Sequence, residues 1–348
     1  MEITSPIIEW YEQNKRDLPW RNTTDPYKIW LSEIILQQTR VQQGMPYYEK
    51  FLAHYPTIDS FANAEEQEIL SLWQGLGYYS RARNMHETAK TIVSKFKGKF
   101  PDNYEDILAL KGVGEYTAAA IASFAYNLPH PVLDGNVYRV LSRLYGITDP
   151  IDKPAGQKVF KQTLQLIFDP KRIAQWNQAI MEFGALQCVP KSPDCNTCPL
   201  EQQCEAKSKN LIGDLPRKAG KTKVKSIEYT YLVFKYENKV HINQRTSGTW
   251  KNMFEFPLIE SHFNSKQLPE KINALIQSNQ KIEIGDLFES NHLLSHRKIS
   301  AKFYTIYLES KPVFLKSDIF EIELDALGNE YPVSTLIKKY LDQKRDDK

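Results

Sequence analysis

No apolar run in these 348 residues approaches the roughly 20 residues of a membrane-spanning helix. The opening stretch, MEITSPIIEWYEQNKRDLPW, has no basic start leading into an apolar segment, so no signal peptide is expected. Excess charge is missing too: 45 Lys and Arg stand against 42 Asp and Glu, a net +3. That balance does not announce a nucleic-acid partner, and only local basic segments could supply one. Cysteine is scarce, with four residues in all. What remains, 41% hydrophobic and 25% charged, is the make-up of a soluble globular protein. The expectation is a cytoplasmic monomer with no membrane contact, long enough for two domains with a core each.

Strand patterns are absent before residue 225, where helix follows helix. DPYKIWLSEIILQQTRV starts on Asp25-Pro26, with proline at the first helical position. Tyr27, Trp30, Leu31 and Ile34 then recur at helical spacing. Similar patterns cover 61–72, 80–96, 103–110, 115–126, 136–145, 155–168 and 171–186, separated by short polar loops. Residues 205–225 carry seven Lys and Arg against two acidic residues and read as a basic linker. Beyond it, IEYTYLVFKYENKVHINQR holds two β-rich runs around Glu237-Asn238, the pattern of a hairpin. KISAKFYTIYLES predicts another strand, and helices are expected near 266–278 and 332–343. The fold class is mainly α, with a helical domain over 1–204, the linker, and a smaller α+β domain over 226–348.

The four cysteines, Cys188, Cys195, Cys198 and Cys204, fall in one 17-residue stretch spaced C-x6-C-x2-C-x5-C. Thiols gathered so closely in a cytosolic chain argue for a metal site over disulfides. Spacing alone leaves zinc and an iron–sulfur cluster both open. It resembles the cluster loop of the endonuclease III superfamily of DNA glycosylases, which implies a [4Fe–4S] cluster on these four residues.

Gly112-Val113-Gly114 lies between two helical patterns, in LKGVGEYTAAAIA. A P-loop would need four residues between its glycines, then Lys-Ser/Thr, after a strand. None of that is present. The stretch resembles the helix-hairpin-helix of the same superfamily. There, glycines admit a DNA phosphate close to the backbone, and free N–H groups at the next helix bind it without reading sequence.

Removing a base from deoxyribose needs an acid to protonate the base and a carboxylate to steady the cationic sugar. Glu33, within the apolar WLSEIILQQTR, is placed for a raised pKa. Asp134, in VLDGNVYRVLSRLYG, precedes a helix and is otherwise a helix cap. LPWR, PYKIWLSEIILQQTRV, LWQGLGYYSRARN, LKGVGEYTAAAIASF and LDGNVYRVLSR together resemble the adenine DNA glycosylase family, over most of residues 7–204.

That resemblance implies excision of adenine mispaired with 8-oxoguanine or guanine in double-stranded DNA. Glu33 matches the acid, Asp134 the cation stabiliser and Asn136 its neighbour. Tyr116 stands where bifunctional relatives carry a lysine that forms a Schiff base. Tyrosine cannot form that imine, which implies a monofunctional enzyme. Tyr138 likewise stands where some members carry another lysine. Gln38 of LQQTR, with Leu76 and Tyr78 of GLGYY, matches the wedge that enters the base stack, and Thr39 is expected to contact the DNA. Arg16, Trp20 and Arg21, with Glu182 of MEFGA, are expected to line or brace the adenine pocket.

GTWKNMFEFPLIE resembles the Gly-x-Trp…Phe-Pro stretch of Nudix folds, but the acidic series that binds magnesium in the hydrolases is absent. The family resemblance implies a Nudix-like domain that checks for 8-oxoguanine through a Phe-Ser-His loop. Here the loop is Leu294-Ser295-His296, without the aromatic. The competing readings are a pyrimidine-specific glycosylase of the endonuclease III type and a catalytically idle iron–sulfur DNA-binding module. Retention of both carboxylates and Asn136 opposes the idle module.

Overall fold

The computed structural model describes residues 3–220, 224–277, 282–294 and 297–346. The chain divides into two compact units, residues 1–63 with 84–221, and residues 64–83 with 222–348. Among the described residues no helix is long and apolar enough to cross a membrane.

The first unit is helical. It holds α1 (Thr4–Asn14), α2 (Pro26–Leu36), α3 (Val41–His54) and α4 (Ile58–Ala62), and the short α5 (Glu66–Leu72) then falls in the second unit. After α6 (Ser80–Phe96), the first unit continues with α7 (Tyr104–Leu108), α8 (Glu115–Tyr126), α9 (Gly135–Tyr145), α10 (Pro154–Gln165), α11 (Ile173–Leu186) and α12 (Glu205–Ser208). The pattern over 61–72 is two helices, because a Thr57–Ser60 capping box starts α4 early and Asn63 closes it. Asp25 caps α2 by accepting the Tyr27 N–H, with Pro26 preset for the first turn. α2 is buried around nearly its whole circumference, from Tyr27 and Ile29 through Ile35. It packs on α8, while α1 and α9 both pack on α11. Trp30, Phe51 and Phe61 meet edge to face in the core.

Part of the stretch read as linker is structured. Leu215 is buried and its carbonyl accepts from Arg143 Nε, while the Arg217 carbonyl accepts from the Ile151 N–H.

The second unit is built on a seven-stranded sheet. β1 (Lys225–Tyr236) and β2 (Lys239–Gln244) form the expected hairpin, with Glu237 in the left-handed region. Next come β3 (Phe254–Glu255), β4 (Leu258–Ile259), β5 (Ile276–Gln277), β6 (Ile282–Leu294), β7 (Arg297–Leu308), β8 (Val313–Phe314) and β9 (Ile319–Glu323). The main order is β3-β2-β1-β7-β6; β1 and β7 run parallel and the other pairs antiparallel. Phe303 is stacked between Tyr231 and Tyr340, the latter on α14 (Thr335–Asp346), and these rings join sheet to helix. The helix expected over 266–278 is only α13 (Leu268–Asn273). Ile276, at helical spacing from Leu268 and Ile272, instead pairs in β5 while packing into the same cluster.

Candidate active site

A cavity of about 600 Å³ opens in the helical unit. Its walls bring together Arg16, Trp20, Arg21, Glu33, Thr39, Tyr116, Asp134, Asn136 and Glu182, residues scattered over 167 positions of sequence. Glu33 sits there because α2 buries almost every face it has, leaving the carboxyl only 8% exposed. Burial pushes Glu33 up to about 7, and Asp134 adds to the rise. A hydrogen bond from Tyr116 and the charge of Arg21 pull the other way. A carboxyl with that pKa holds a proton at neutral pH and can still give it up.

Tyr116 stands in the first turn of α8 and touches both sides of the pocket. Its hydroxyl hydrogen-bonds Glu33 and reaches Met181 Sδ at 3.4 Å. Burial and the two nearby carboxylates raise its own pKa well above the ordinary phenol value, so it stays neutral.

Asp134 is the N-cap of α9. Its Oδ1 accepts the Val137 N–H at 2.8 Å and its Oδ2 accepts Asn136 Nδ2 at 2.7 Å. Burial raises the pKa, against these donors and Arg139, which favour the carboxylate. Asn136 is itself held: its Oδ1 accepts from Arg139 Nη2 at 2.8 Å. Arg139, 9% exposed, also donates to the Gly184 carbonyl at 2.5 Å and, through Nε, to the Cys188 carbonyl at 2.7 Å.

Another wall is an ion cluster. Glu182, its side chain 1% exposed, takes paired hydrogen bonds from Arg16 (2.8 and 2.6 Å) and Arg21 (2.9 and 2.7 Å). Burial alone would raise its pKa, but the two guanidinium groups outweigh it and bring Glu182 down to about 2. Arg21 Nε also donates to Gln178 Oε1. Trp20 is buried edge-on against Tyr48.

The α7–α8 hairpin brings Gly112, Val113 and Gly114 to the entrance of α8. Gly112 lies at φ +78°, and a Cβ there would sit 2.9 Å from Asn84 Cβ, so no larger residue fits. Val113 is buried and anchors the turn. Gly114 caps α8 with open space in front of it, leaving the first N–H groups of a 12-residue helix accessible.

The four cysteines form no disulfides. Cys188, Cys195 and Cys204 are all near enough to Cys198 to raise its thiol pKa together with burial, and Arg143 Nη1 lies 3.4 Å from Cys188 Sγ. Among the described residues no three His, Cys, Asp or Glu side chains are placed to hold a single metal ion.

Gln38 is exposed in the left-handed region after α2. In the second unit, Tyr78 is 44% exposed while Leu76 is buried at 6%. Ser295 and His296 lie outside the described residues.

Over 83% of its length this chain is 39% identical to an adenine DNA glycosylase of Buchnera aphidicola subsp. Baizongia pistaciae (strain Bp), spanning 82% of that protein. The chain belongs to the adenine DNA glycosylase family. A member from Arabidopsis thaliana is 36% identical across 88% of this chain and 58% of its own length. Residues 31–170 match the HhH-GPD superfamily of base excision DNA repair proteins, and residues 229–343 match the NUDIX domain. A thermostable thymine-DNA glycosylase superposes with a TM-score of 0.54 at 28% identity, covering 59% of this chain and 95% of its own. Endonuclease III trapped on DNA shares the fold, with a TM-score of 0.53 at 21% identity over 60% and 95% of the two chains.

Sequence reasoning did not single out Arg139, Gln178 or Met181 in this family member. Arg139 was within reach, since it lies one turn after Asn136 on the same face of α9. Gln178, likewise one turn before Glu182, shares its face of α11.

Proposed function

We propose that this protein is a monofunctional DNA glycosylase that removes adenine mispaired with 8-oxoguanine or guanine. One observation carries the reading: a buried Glu33 with a pKa near 7 shares a cavity with a capped Asp134, with no amine at the position between them. Adenine leaves the duplex for this cavity, which is ample for a purine. Trp20 offers it an aromatic wall, and the Arg16–Arg21–Glu182 cluster fixes the far side. Glu33 gives its proton to the ring, turning a poor leaving anion into neutral adenine. As the C1′–N bond breaks, Asp134 faces the growing positive charge on the sugar, held there by Val137 N–H and Asn136. A water then adds to C1′ and loses a proton, which restores the Glu33 acid. Tyr116 has no amine to form a Schiff base, so the strand stays intact.

Gly112, Val113 and Gly114 hold a backbone phosphate and Thr39 contacts the DNA, while Gln38 enters the stack beside the opposing base and Tyr78 likewise acts as a wedge residue. Leu76, also matched to the wedge, is buried in the described conformation. The 1–204 helical domain does the chemistry, the basic 205–225 segment connects, and the Nudix-like 226–348 domain reads the opposite base through Ser295 and His296. An all-thiolate set of four free cysteines drawn close together fits a [4Fe–4S] cluster on Cys188, Cys195, Cys198 and Cys204. Bound there, it would cross-link the end of the helical domain. The expected setting is the cytoplasm, with the DNA.

The test is release of free adenine from duplexes carrying adenine opposite 8-oxoguanine, with Glu33→Gln as control. No release by the native protein, or full release by the variant, would sink the reading.

A further inference from the structure

The GLGYY loop has an unusual backbone for a segment that must break into stacked DNA. Three of its residues lie at positive φ: Gly75 at 104°, Gly77 at 70° and Tyr78 at 47°. For tyrosine this left-handed geometry is strained, and such strain persists only where surrounding contacts over-determine it. The result is an exposed aromatic ring on a loop whose other large side chains are buried: Tyr78 is 44% exposed, against 6% for Leu76 and 3% for Tyr79.

Several of the contacts that hold this geometry are made by one residue. Arg81 Nη2 donates to the carbonyls of Leu76 (3.3 Å) and Gly77 (3.4 Å), the two residues immediately before Tyr78. Its guanidinium also lies over the ring of the buried Trp73, 5.0 Å from the centroid, and 5.8 Å from the Tyr78 ring. Trp73 Nε1 donates to the same Gly77 carbonyl at 3.0 Å. Arg81 therefore links the floor of the loop, its backbone and its exposed ring. A planar, multiply donating cation can do all three at once, which an ammonium cannot.

We propose that Arg81 is a positioning residue for base extrusion, which holds the loop in its strained form so that the Tyr78 ring stands ready to enter the DNA stack. The proposal rests on the reading of Tyr78 as a wedge. Its work is done before DNA arrives: the ordering of the loop is settled in the free protein, so the wedge enters without first having to organise.

A double-mutant cycle tests this, using binding to a duplex with 2′-fluoro-2′-deoxyadenosine opposite guanine, whose fluorine resists excision. Arg81→Met should weaken binding about tenfold when Tyr78 is present and less than about twofold in a Tyr78→Ala background. Arg81→Lys should fail to rescue it. Equal weakening in both backgrounds means Arg81 serves the fold generally and overturns the proposal, as does no weakening by Arg81→Met while Tyr78→Ala weakens. If Tyr78→Ala binds like the native protein, the wedge reading itself is wrong and the proposal falls with it. Gly77→Ala guards against misfolding of the Arg81 variants. Its Cβ meets nothing within 4 Å, so it disturbs only the backbone at positive φ. It should show the same dependence on Tyr78, and equal loss with and without Tyr78 counts against the proposal.

Discussion

Arg139 Nη2 lies 2.8 Å from Asn136 Oδ1, and the same guanidinium reaches the Cys188 carbonyl through Nε. The residue that steadies Asp134 is thus tied, through one buried cation, to the first cysteine of the thiol loop. Arg139→Met leaves the carbonyls of Gly184 and Cys188 without this donor and Asn136 free to rotate. The expected outcome is a loss of about 10- to 100-fold in the single-turnover excision rate and roughly 2–4 kcal/mol of stability. Duplex affinity should change far less than rate. Equal losses in affinity and rate would mean that Arg139 does not act through Asn136.

Glu33 opposes folding in order to be an acid. Its folded pKa of about 7 lies above its ordinary value of 4.5, so the unfolded chain loses this proton first and stability falls as pH rises between the two. Above pH 7 the cost is fully present, about 3 kcal/mol. Glu33→Gln should therefore be more stable than the native protein at pH 8 and nearly equal to it at pH 4.5, as read by denaturant unfolding. The same variant should release no adenine. An inactive but equally stable variant at pH 8 would show that the carboxyl is not desolvated.

Tyr116 lowers the Glu33 pKa through its hydroxyl. Removing that donor disfavours the charged carboxylate, so Tyr116→Phe should push the Glu33 pKa further up. In the native protein the excision rate should decline as pH rises through about 7, as the acid form empties. In Tyr116→Phe the decline should begin at higher pH, and no shift would mean the two groups are not coupled. Neither protein should be trapped on DNA by borohydride.

Glu182 behaves in the opposite sense. Its pKa is lowered to about 2 from 4.5, so its stabilisation is present above pH 4.5 and disappears as pH falls through 2. Glu182→Gln leaves Arg16 and the mostly buried Arg21 with no carboxylate. The expectation is roughly 3 kcal/mol lost at pH 7, shrinking toward acid, with weaker retention of the base. Unchanged stability at neutral pH would argue that the arginines find other partners.

For the thiol loop, purified protein should contain iron and inorganic sulfide in equal amounts, and Cys204→Ser should lower both. Zinc in place of iron would overturn the cluster assignment.

The helical unit was legible because its signals are local. Asp25-Pro26 announces a helix start, and a carboxyl in an apolar helix announces a shifted acid. The cavity was legible only as a set of residues, since nothing in the spacing of Arg16 and Glu182 says they meet. Leu76 shows another limit: the resemblance pairs it with Tyr78 as a wedge residue, and no local signal says that between Gly75 and Gly77 it is buried beside an exposed Tyr78. Ile276 misled through periodicity, because one apolar cluster was served by a helix and a strand in succession.

The order of residues along the chain is not the order in which the parts belong. Residues 64–83 come from amid the helical sequence but group with the C-terminal unit: Gln67 reaches the Glu330 carbonyl, Arg83 the Lys251 carbonyl, and Asn252 the Glu66 carboxylate. A polypeptide cut at residue 221 would leave this stretch without those partners, the donors of Gln67 and Arg83 and the acceptor of Glu66 turning to water. Nascent chain leaving the ribosome meets the same situation, so these three bonds form only after residues 251, 252 and 330 have been made.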